Sequence, residues 1–218
     1  MDEALSAASD QCDPVIVNSE NPLYYLYTSG STGKPKGLIH TTGGYVTHAS
    51  CVHKHAFKVD EGDVYGCVAD IGWTVGHAVA HYGNLLNGGT SLLFESLPNY
   101  PDPGRYWAMV ERHKLTQFFS APTAYRMLMQ FDNSWVEKYD LSSLKYIMVA
   151  GENCNEAAWK WLHEVIGREK CKVVDCWWQT ETGALMMSPT PSPIDEDPTP
   201  STCTRKGFSF LAFDLTTS

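Results

Sequence analysis

The sequence predicts an α/β fold in which βαβ units are layered on largely parallel sheets. Apolar segments of about six residues recur along the chain, and amphipathic segments of about ten to fourteen residues separate them. With 218 residues, of which 43% are hydrophobic, the chain can bury a substantial core. The predicted strands are residues 23–28, 63–69, 90–95, 117–121, 145–150 and 172–177, and the predicted helices lie near 44–57, 76–87, 104–114, 123–131 and 156–166.

Charge and cysteine usage restrict the partners. Sixteen Lys and Arg against 25 Asp and Glu give a net charge of −9, so we expect no nucleic-acid partner, and any bound anion needs local positive charge. No apolar stretch reaches the roughly 18 residues of a membrane span, so we expect no membrane partner. The seven cysteines contain no CxxC pair, which indicates reduced thiols in an intracellular location. The sequence does not indicate an oligomeric state.

The composition changes near Ser188. Residues 1–187 have the pattern of one domain, whereas residues 188–218 begin with prolines among Ser, Thr and Asp, which is typical of a loop or linker. We therefore expect a divergent, Pro-rich tail, either truncated or wrongly predicted from the gene.

Residues 27–37, YTSGSTGKPKG, have the composition of a polyphosphate site. Glycines let backbone N–H groups turn toward an anion, hydroxyls add donors, and two lysines add charge. The spacing fits neither Walker A nor GxGxxG, and the alternative for such a composition is a flexible linker. The candidate phosphate-binding residues are Thr28, Ser29, Gly30, Ser31, Thr32, Gly33, Lys34 and Lys36.

The order of residues 27–37 resembles the phosphate loop of the adenylate-forming superfamily. Three further segments, 70–77 (DIGWTVGH), 150–153 (AGEN) and 175–183 (DCWWQTETG), resemble the acetyl-CoA synthetases within it. The resemblance runs from about residue 2 to residue 187 and implies part of the large AMP-binding domain. It also implies ATP-dependent activation of acetate to acetyl-adenylate, followed by transfer to coenzyme A, with Mg²⁺ as the metal.

The resemblance assigns roles to residues at the ends of predicted strands. Glu181 would bind Mg²⁺ and act in catalysis with Thr180, whereas the alternative for Glu181 alone is an ordinary surface carboxylate. Val75 would contact coenzyme A. The acyl pocket would consist of Thr74, Val75, Ala150 and Trp178, and the remaining ATP contacts would come from Gly151, Glu152, Asn153, Asp175, Cys176, Trp177, Trp178, Gln179 and Thr180.

Histidines also occur at helical spacing. His77 and His81 are four residues apart, but no Glu follows His77, so the zinc-protease pattern is missing and we predict no metal there. We predict that His48, His53 and His55 lie on a solvated helix face.

The chain departs from the acetyl-CoA synthetase pattern at several positions. It has Thr74-Val75 in the reverse order, Ala150 in place of Val and Asn153 in place of Pro, which leaves acetate and propionate open as substrates. We expect the C-terminal lid domain and the native N-terminus to be missing, so that the fragment alone is inactive and its location is cytoplasmic or mitochondrial. The alternatives are a propionate-preferring acyl-CoA synthetase, a non-catalytic nucleotide-binding fragment, and an adenylating enzyme with another acceptor, which WWQTETG disfavours.

Overall fold

The computed structural model of the chain describes residues 2–29 and 33–189. The fold is α/β, as the sequence predicts. Gly30, Ser31, Thr32 and almost all of the predicted Pro-rich tail lie outside the described residues. The strands are β1 (Pro22–Thr28), β2 (Lys36–Thr41), β3 (Val64–Cys67), β4 (Thr90–Leu93), β5 (Gln117–Ser120), β6 (Tyr146–Val149) and β7 (Lys172–Asp175). The helices are α1 (Asp2–Ala7), α2 (Thr42–His55), α3 (Thr74–His77), α4 (Gly83–Leu85), α5 (Arg105–His113), α6 (Pro122–Leu128), α7 (Ser134–Glu137) and α8 (Glu156–Trp161).

Short non-α segments complete three of these elements. A π-helical segment, Ala78–Tyr82, joins α3 to α4, and a second one, Leu162–Ile166, continues α8. The predicted helices near 76–87 and 156–166 are therefore confirmed as composite helices. A single 3₁₀ turn, Thr180–Thr182, follows β7.

The main sheet has five parallel strands in the order β4-β3-β5-β6-β7. Crossover connections between parallel strands place helices on both faces of the sheet, so the strand sequences are apolar runs. Accordingly, every residue of β5 is buried. On one face, α5, α6 and α8 pack around Trp107, Phe118 and Tyr125. On the other face, α2 and the helices from Thr74 to Leu85 pack against Phe119 and Met148. The predicted βαβ architecture is confirmed for these strands.

The first predicted strand does not join this sheet. β1 pairs antiparallel with β2, and the register aligns Thr28 with Lys36. The sequence prediction missed β2, because its residues alternate poorly between apolar and polar side chains and it lies half exposed. The described ends of the candidate phosphate segment, Thr28 and Lys36, are therefore paired residues of a two-stranded hairpin.

Two of the three histidines predicted on a solvated helix face are buried. His53 is 1% exposed, with Nδ1 2.9 Å from the carbonyl oxygen of Ala49 and Nε2 3.2 Å from that of Val79. His48 is also buried, and its Nε2 lies 3.0 Å from the carbonyl oxygen of Leu185. Burial lowers the pKa of His53 to about 4 and lowers that of His48. The prediction was wrong for both, because each buried neutral ring can donate one hydrogen bond to a backbone carbonyl. It was right for His55, which is exposed.

Candidate nucleotide-binding site

Two of the predicted ligand-binding segments begin at the carboxyl ends of β6 and β7. Val149 and Asp175 are register partners at these ends, and the chain continues from them into Gly151 and Cys176. Gly151 has φ +100°, a conformation that favours glycine and turns the backbone sharply away from the strand. Ligands of parallel α/β sheets bind at this edge, so the position of both segments fits a small-molecule site.

Asp175 is a buried carboxyl group at the end of β7. Its side chain is 5% exposed, and burial raises its pKa to about 6. Among residues 2–29 and 33–189, no Lys, Arg or His forms an ion pair with it. A buried titratable group that lacks a cation and lies at a strand end is typical of ligand-binding sites.

The backbone after Asp175 is fixed by contacts to neighbouring segments. The Cys176 amide donates to the carbonyl oxygen of Val149 at 3.0 Å, and the Cys176 thiol donates to the same oxygen at 3.3 Å. Trp177 pairs antiparallel with Met187, so the chain doubles back between them. The Trp177 side chain is 44% exposed, whereas the next side chain, Trp178, is half-buried.

The segment between Trp178 and Ala184 forms a tight turn. The backbone amide of Gln179 donates to Oγ1 of Thr182 at 3.1 Å, and the Thr182 hydroxyl donates back to the backbone carbonyl oxygen of Gln179 at 2.9 Å. Gly183 ends the turn with φ +75°. Glu181 lies in the middle of this turn and is exposed, so its carboxylate is accessible to a ligand or a metal ion.

Side chains from two other elements hold the turn in place. Nε2 of His40, in β2, lies 2.8 Å from the carbonyl oxygen of Thr180. The hydroxyl of Thr74, in α3, donates to the carbonyl oxygen of Gly183 at 3.2 Å. No local pattern in the sequence points to His40, because its partner is 140 residues away.

Three of the four predicted acyl-pocket residues share one hydrophobic cluster. Ala150 is 4% exposed within the cluster on the α2 face of the sheet, and Val75 and Trp178 pack against that cluster. The ring of Trp178 lies 6.0 Å from the ring of Phe119, centroid to centroid. The fourth residue, Thr74, is also buried, and its hydroxyl bonds to the carbonyl oxygen of Gly183. The fold therefore brings together residues that are far apart in the sequence.

Glu152 makes a different set of contacts. Its carboxylate accepts hydrogen bonds from the Thr123 amide at 2.8 Å, from the Thr123 hydroxyl, and from Nη2 of Arg126 at 2.6 Å. These bonds from Thr123 and Arg126 hold the pKa of Glu152 below its usual value. The Asn153 carbonyl oxygen accepts a longer bond, 3.5 Å, from Arg126. The carboxylate of Glu152 therefore anchors its loop to α6.

The hairpin presents its cations to solvent. Lys34 and Lys36 are exposed, and so is Ser29, while Thr28 is half-buried. Gly33 has φ +78°, and a Cβ added there would meet no atom within 4 Å, so backbone conformation rather than space requires glycine. Because His40 lies in the same hairpin, the exposed lysines are connected to the turn that carries Glu181.

The donor set of the site fits a nucleotide-bound metal better than a resident one. The described parts of the chain contain no group of three or more His, Cys, Asp or Glu that could hold a metal ion. Mg²⁺ in nucleotide sites usually takes one or two carboxylates, and phosphates and water complete its coordination. A single exposed Glu181 matches that pattern.

No described helix is both long and apolar enough to cross a bilayer.

Comparison with known proteins agrees with this geometry. The sequence matches the profile of the family described as AMP-binding enzyme over residues 1–208. The chain belongs to this family. It is 50% identical over 196 residues to acetyl-coenzyme A synthetase of Chlorobaculum tepidum and 51% identical over 190 residues to that of Rhodobacter capsulatus. It is 47% identical over 211 residues to human "Acetyl-coenzyme A synthetase 2-like, mitochondrial".

These matches cover 90%, 87% and 97% of this chain but 30%, 29% and 31% of the three relatives. The chain thus spans about 30% of the length of the curated relatives it matches. The five-stranded parallel sheet is consistent with part of an adenylate-forming domain.

Proposed function

We propose that the chain forms part of the active site of an AMP-forming acetate–CoA ligase. In that reaction the acetate carboxylate attacks the α-phosphorus of ATP and releases pyrophosphate. The acetyl group of acetyl-adenylate then passes to the thiol of coenzyme A, giving acetyl-CoA and AMP. The observation that best supports this proposal is a hydrogen bond from His40. It connects the hairpin that bears Lys34 and Lys36 to the turn that bears Glu181.

This connection supports the proposal because of the charges in the reaction. A carboxylate that attacks a polyphosphate is an anion approaching an anion, so fixed donors and a metal must offset the repulsion. The chain has a net charge of −9, and its two exposed hairpin lysines supply the local positive charge that such a ligand needs. Positioning, rather than covalent chemistry by the protein, does most of the work.

The proposed roles follow the position of each segment. The hairpin loop binds the β- and γ-phosphates, and Glu181 binds Mg²⁺ beside Thr180. The backbone of residues 151–153 and the segment from Asp175 to Thr180 bind adenine, ribose and the α-phosphate. Glu152 contributes by anchoring its loop to Arg126. The proposed phosphate-binding residues are Thr28, Ser29, Gly30, Ser31, Thr32, Gly33, Lys34 and Lys36.

The acyl group occupies the cluster around Trp178, with Thr74, Val75 and Ala150 beside it, and Val75 also contacts coenzyme A. A second candidate substrate is propionate. The observation that favours it is the small side chain of Ala150 inside this cluster, because Val, expected there in acetyl-CoA synthetases, would fill more of the pocket. One methylene in such a pocket is worth roughly 1–3 kcal/mol of specificity.

Residues 1–187 belong to the AMP-binding domain in this proposal, and residues 188–218 form a tail of separate character. The protein works inside the cell, in the cytoplasm or in mitochondria. The free cysteines of the described residues support an intracellular location, because a reducing environment keeps thiols unpaired.

The test has a binding arm and a turnover arm. In the binding arm, residues 1–218 are titrated with ATP and Mg²⁺ by calorimetry, and we expect saturable binding that AMP competes for. In the turnover arm, residues 1–187 replace the matching segment of the Rhodobacter capsulatus relative, and acetate-dependent ATP–pyrophosphate exchange is measured. Exchange in the chimera with little exchange by residues 1–218 supports the proposal. Binding without exchange in the chimera would favour a non-catalytic nucleotide-binding chain instead.

A further inference from the structure

The imidazole ring of His40 packs among aromatic neighbours. Its ring centroid lies 5.1 Å from that of Tyr24 and 5.3 Å from that of Tyr45. Tyr24 is itself stacked on His77 at 4.8 Å, with an angle of 11° between the rings. Residues of β1, β2, α2 and α3 all contribute to this arrangement, so the imidazole of His40 packs among rings from several elements.

The same ring contacts the Thr180–Thr182 turn at two points. Nε2 lies 2.8 Å from the Thr180 carbonyl oxygen, and since a carbonyl can only accept, Nε2 carries the hydrogen and donates it. At the end of the turn, a Cβ added to Gly183 would come within 3.0 Å of Cε1 of His40. The imidazole therefore bonds to the start of the turn that presents Glu181, and it occupies the space beside the end of that turn.

Bonds within the turn and bonds from other elements hold it on both sides of Glu181. Within the turn, the described bonds join Gln179 to Thr182 and Thr180 to Gly183. The external bond from Thr74 reaches the carbonyl oxygen of Gly183, which lies past Glu181. The bond from His40 reaches Thr180, which precedes Glu181. The bonds from His40 and Thr74 thus lie on opposite sides of the exposed carboxylate, and the His48 ring also interacts with the Thr182 backbone.

We propose that His40 is a positioning residue that aligns the Thr180–Thr182 turn with the phosphate-binding hairpin. This inference rests on the proposed function, because it assigns the aligned groups to one ligand: the hairpin to the terminal phosphates of ATP and the turn to their Mg²⁺. His40 touches neither. By connecting β2 to Thr180, it sets the distance between the exposed lysines and Glu181 before the nucleotide arrives, so less of the binding free energy is spent on ordering them.

Three substitutions separate the hydrogen bond from the ring. His40→Gln keeps an amide donor at the same number of bonds from Cβ as Nε2. His40→Phe keeps an aromatic ring but removes the donor. His40→Asn keeps an amide that is one bond too short to reach Thr180, and it serves the same purpose if the Phe variant does not fold. His55→Phe, at an exposed position on α2, is the control for the same change elsewhere.

The first readout does not depend on any ligand. Amide hydrogen exchange is followed at Thr182 and Gly183, whose N–H groups bond within the turn. We expect roughly five- to tenfold faster exchange in His40→Phe and His40→Asn, the effect of losing one hydrogen bond to a partly buried carbonyl. His40→Gln and His55→Phe should stay within about twofold of the parent chain, less than the effect of one hydrogen bond. Unchanged exchange in folded His40→Phe or His40→Asn, or His40→Gln as fast as both, would overturn the inference.

The second readout is the ratio of the ATP dissociation constants without and with Mg²⁺. If His40 positions the turn, His40→Phe and His40→Asn reduce this ratio roughly five- to tenfold, while affinity without Mg²⁺ changes little. A purely structural role lowers the unfolding temperature and leaves the ratio unchanged, which would overturn the inference. If the parent chain does not bind ATP with Mg²⁺, the proposed function fails, and hydrogen exchange still decides whether His40 positions the turn.

Discussion

Nζ of Lys145 lies 2.7 Å from Oδ1 of Asp63, a carboxylate whose residue is only 4% exposed. Oδ2 of Asp63 accepts from Nε2 of Gln117 at 2.9 Å and from the Asp60 amide at 3.0 Å. Asp63 precedes β3, Gln117 begins β5 and Lys145 precedes β6. One carboxylate thus joins the amino ends of three neighbouring strands, at the edge of the sheet opposite to the candidate site.

We expect Asp63→Asn to lower the free energy of unfolding by about 1–3 kcal/mol, because a buried hydrogen-bonded group loses partners. Burial raises the pKa of Asp63, but the bonds from Lys145, Gln117 and the Asp60 amide outweigh it, so the pKa lies below its usual value. A depressed carboxyl pKa stabilises the fold above the unfolded-state pKa of about 4 and stops doing so as pH falls through the folded-state value. Urea unfolding at neutral pH and below pH of about 4 should therefore show the difference between parent and variant shrinking in acid. Asp60→Asn, in an exposed ion pair with Lys54, should change stability by less than about 1 kcal/mol.

The contribution of Asp175 to folding stability should depend on pH in the opposite sense to that of Asp63. Its folded-state pKa is raised to about 6 by burial, so the native state retains a proton that the unfolded state has released. Stability therefore falls as pH rises from about 4 to about 6 and is constant above that. Asp175→Asn should remove this fall and raise the unfolding temperature at neutral pH, while weakening nucleotide binding. Thermal unfolding across this pH range checks it, and equal pH profiles for parent and variant would contradict it.

Lys36→Ala should weaken the binding of ATP with Mg²⁺ by roughly 10–100-fold, the usual worth of a charge-assisted hydrogen bond. AMP lacks the β- and γ-phosphates, so its affinity should hardly change. Calorimetric titrations with both nucleotides test this prediction. Lys170→Ala, which removes another exposed lysine, is the matched control and should leave both affinities unchanged. Equal losses for ATP and AMP in Lys36→Ala would show that Lys36 does not contact the terminal phosphates.

Glu181→Gln should act mainly on turnover. In the chimera with the Rhodobacter capsulatus relative, we expect acetate activation to fall on the order of 10²-fold, as for loss of one preorganised electrostatic group. Affinity for ATP without Mg²⁺ should be retained, because in the proposed role the carboxylate binds the metal rather than the nucleotide. Pyrophosphate exchange at increasing Mg²⁺ concentration measures the effect, with Glu164→Gln as an exposed control. Normal exchange in Glu181→Gln would refute the metal role.

Trp178→Gly in the same chimera should extend the substrate range beyond two or three carbons. The half-buried indole packs beside Phe119 and the cluster that holds Ala150, so its removal frees volume for a longer chain. Preference should shift toward butyrate and hexanoate by roughly 10–200-fold per methylene accommodated. Competition assays with these acids, acetate and propionate measure the shift, and Trp135→Gly is the control. A folded Trp178→Gly variant with unchanged chain-length preference would mean that Trp178 is ordinary core.

The parallel sheet was predictable because its signal is local. Each strand of the main sheet is a short apolar run, and a helical segment follows every one of them except β7. The five predicted segments contain the observed strands and extend one to three residues beyond them. The error lay in the hairpin. β1 and β2 are neighbours in the sequence, but the exposed, irregular pattern of β2 gives no period to detect.

The residues of the candidate site differ in the same way. The segments near Lys36, Asp175 and Glu181 were found because they are contiguous in the sequence. The contacts of His48 and His40 were not predictable, since their carbonyl partners lie 137 and 140 residues further along the chain. Local patterns predict which segments are candidates for the chemistry, whereas the side chains that hold those segments depend on the complete fold.

The position of β3 between β4 and β5 has a consequence for folding kinetics. The Val64 amide bonds to Oγ1 of Thr116, 52 residues later, and β5 can join β3 only after that long loop has closed. Loop-closure entropy must be overcome before such contacts stabilise anything, which makes parallel pairings intrinsically slow to form. Until β5 is in place, β3 has only β4 as a neighbour, and the apolar faces that later bury Phe118 and Phe119 stay open to water. A newly synthesised chain therefore passes through a period in which aggregation competes with docking of the third strand, and its yield should rise at low temperature and low concentration.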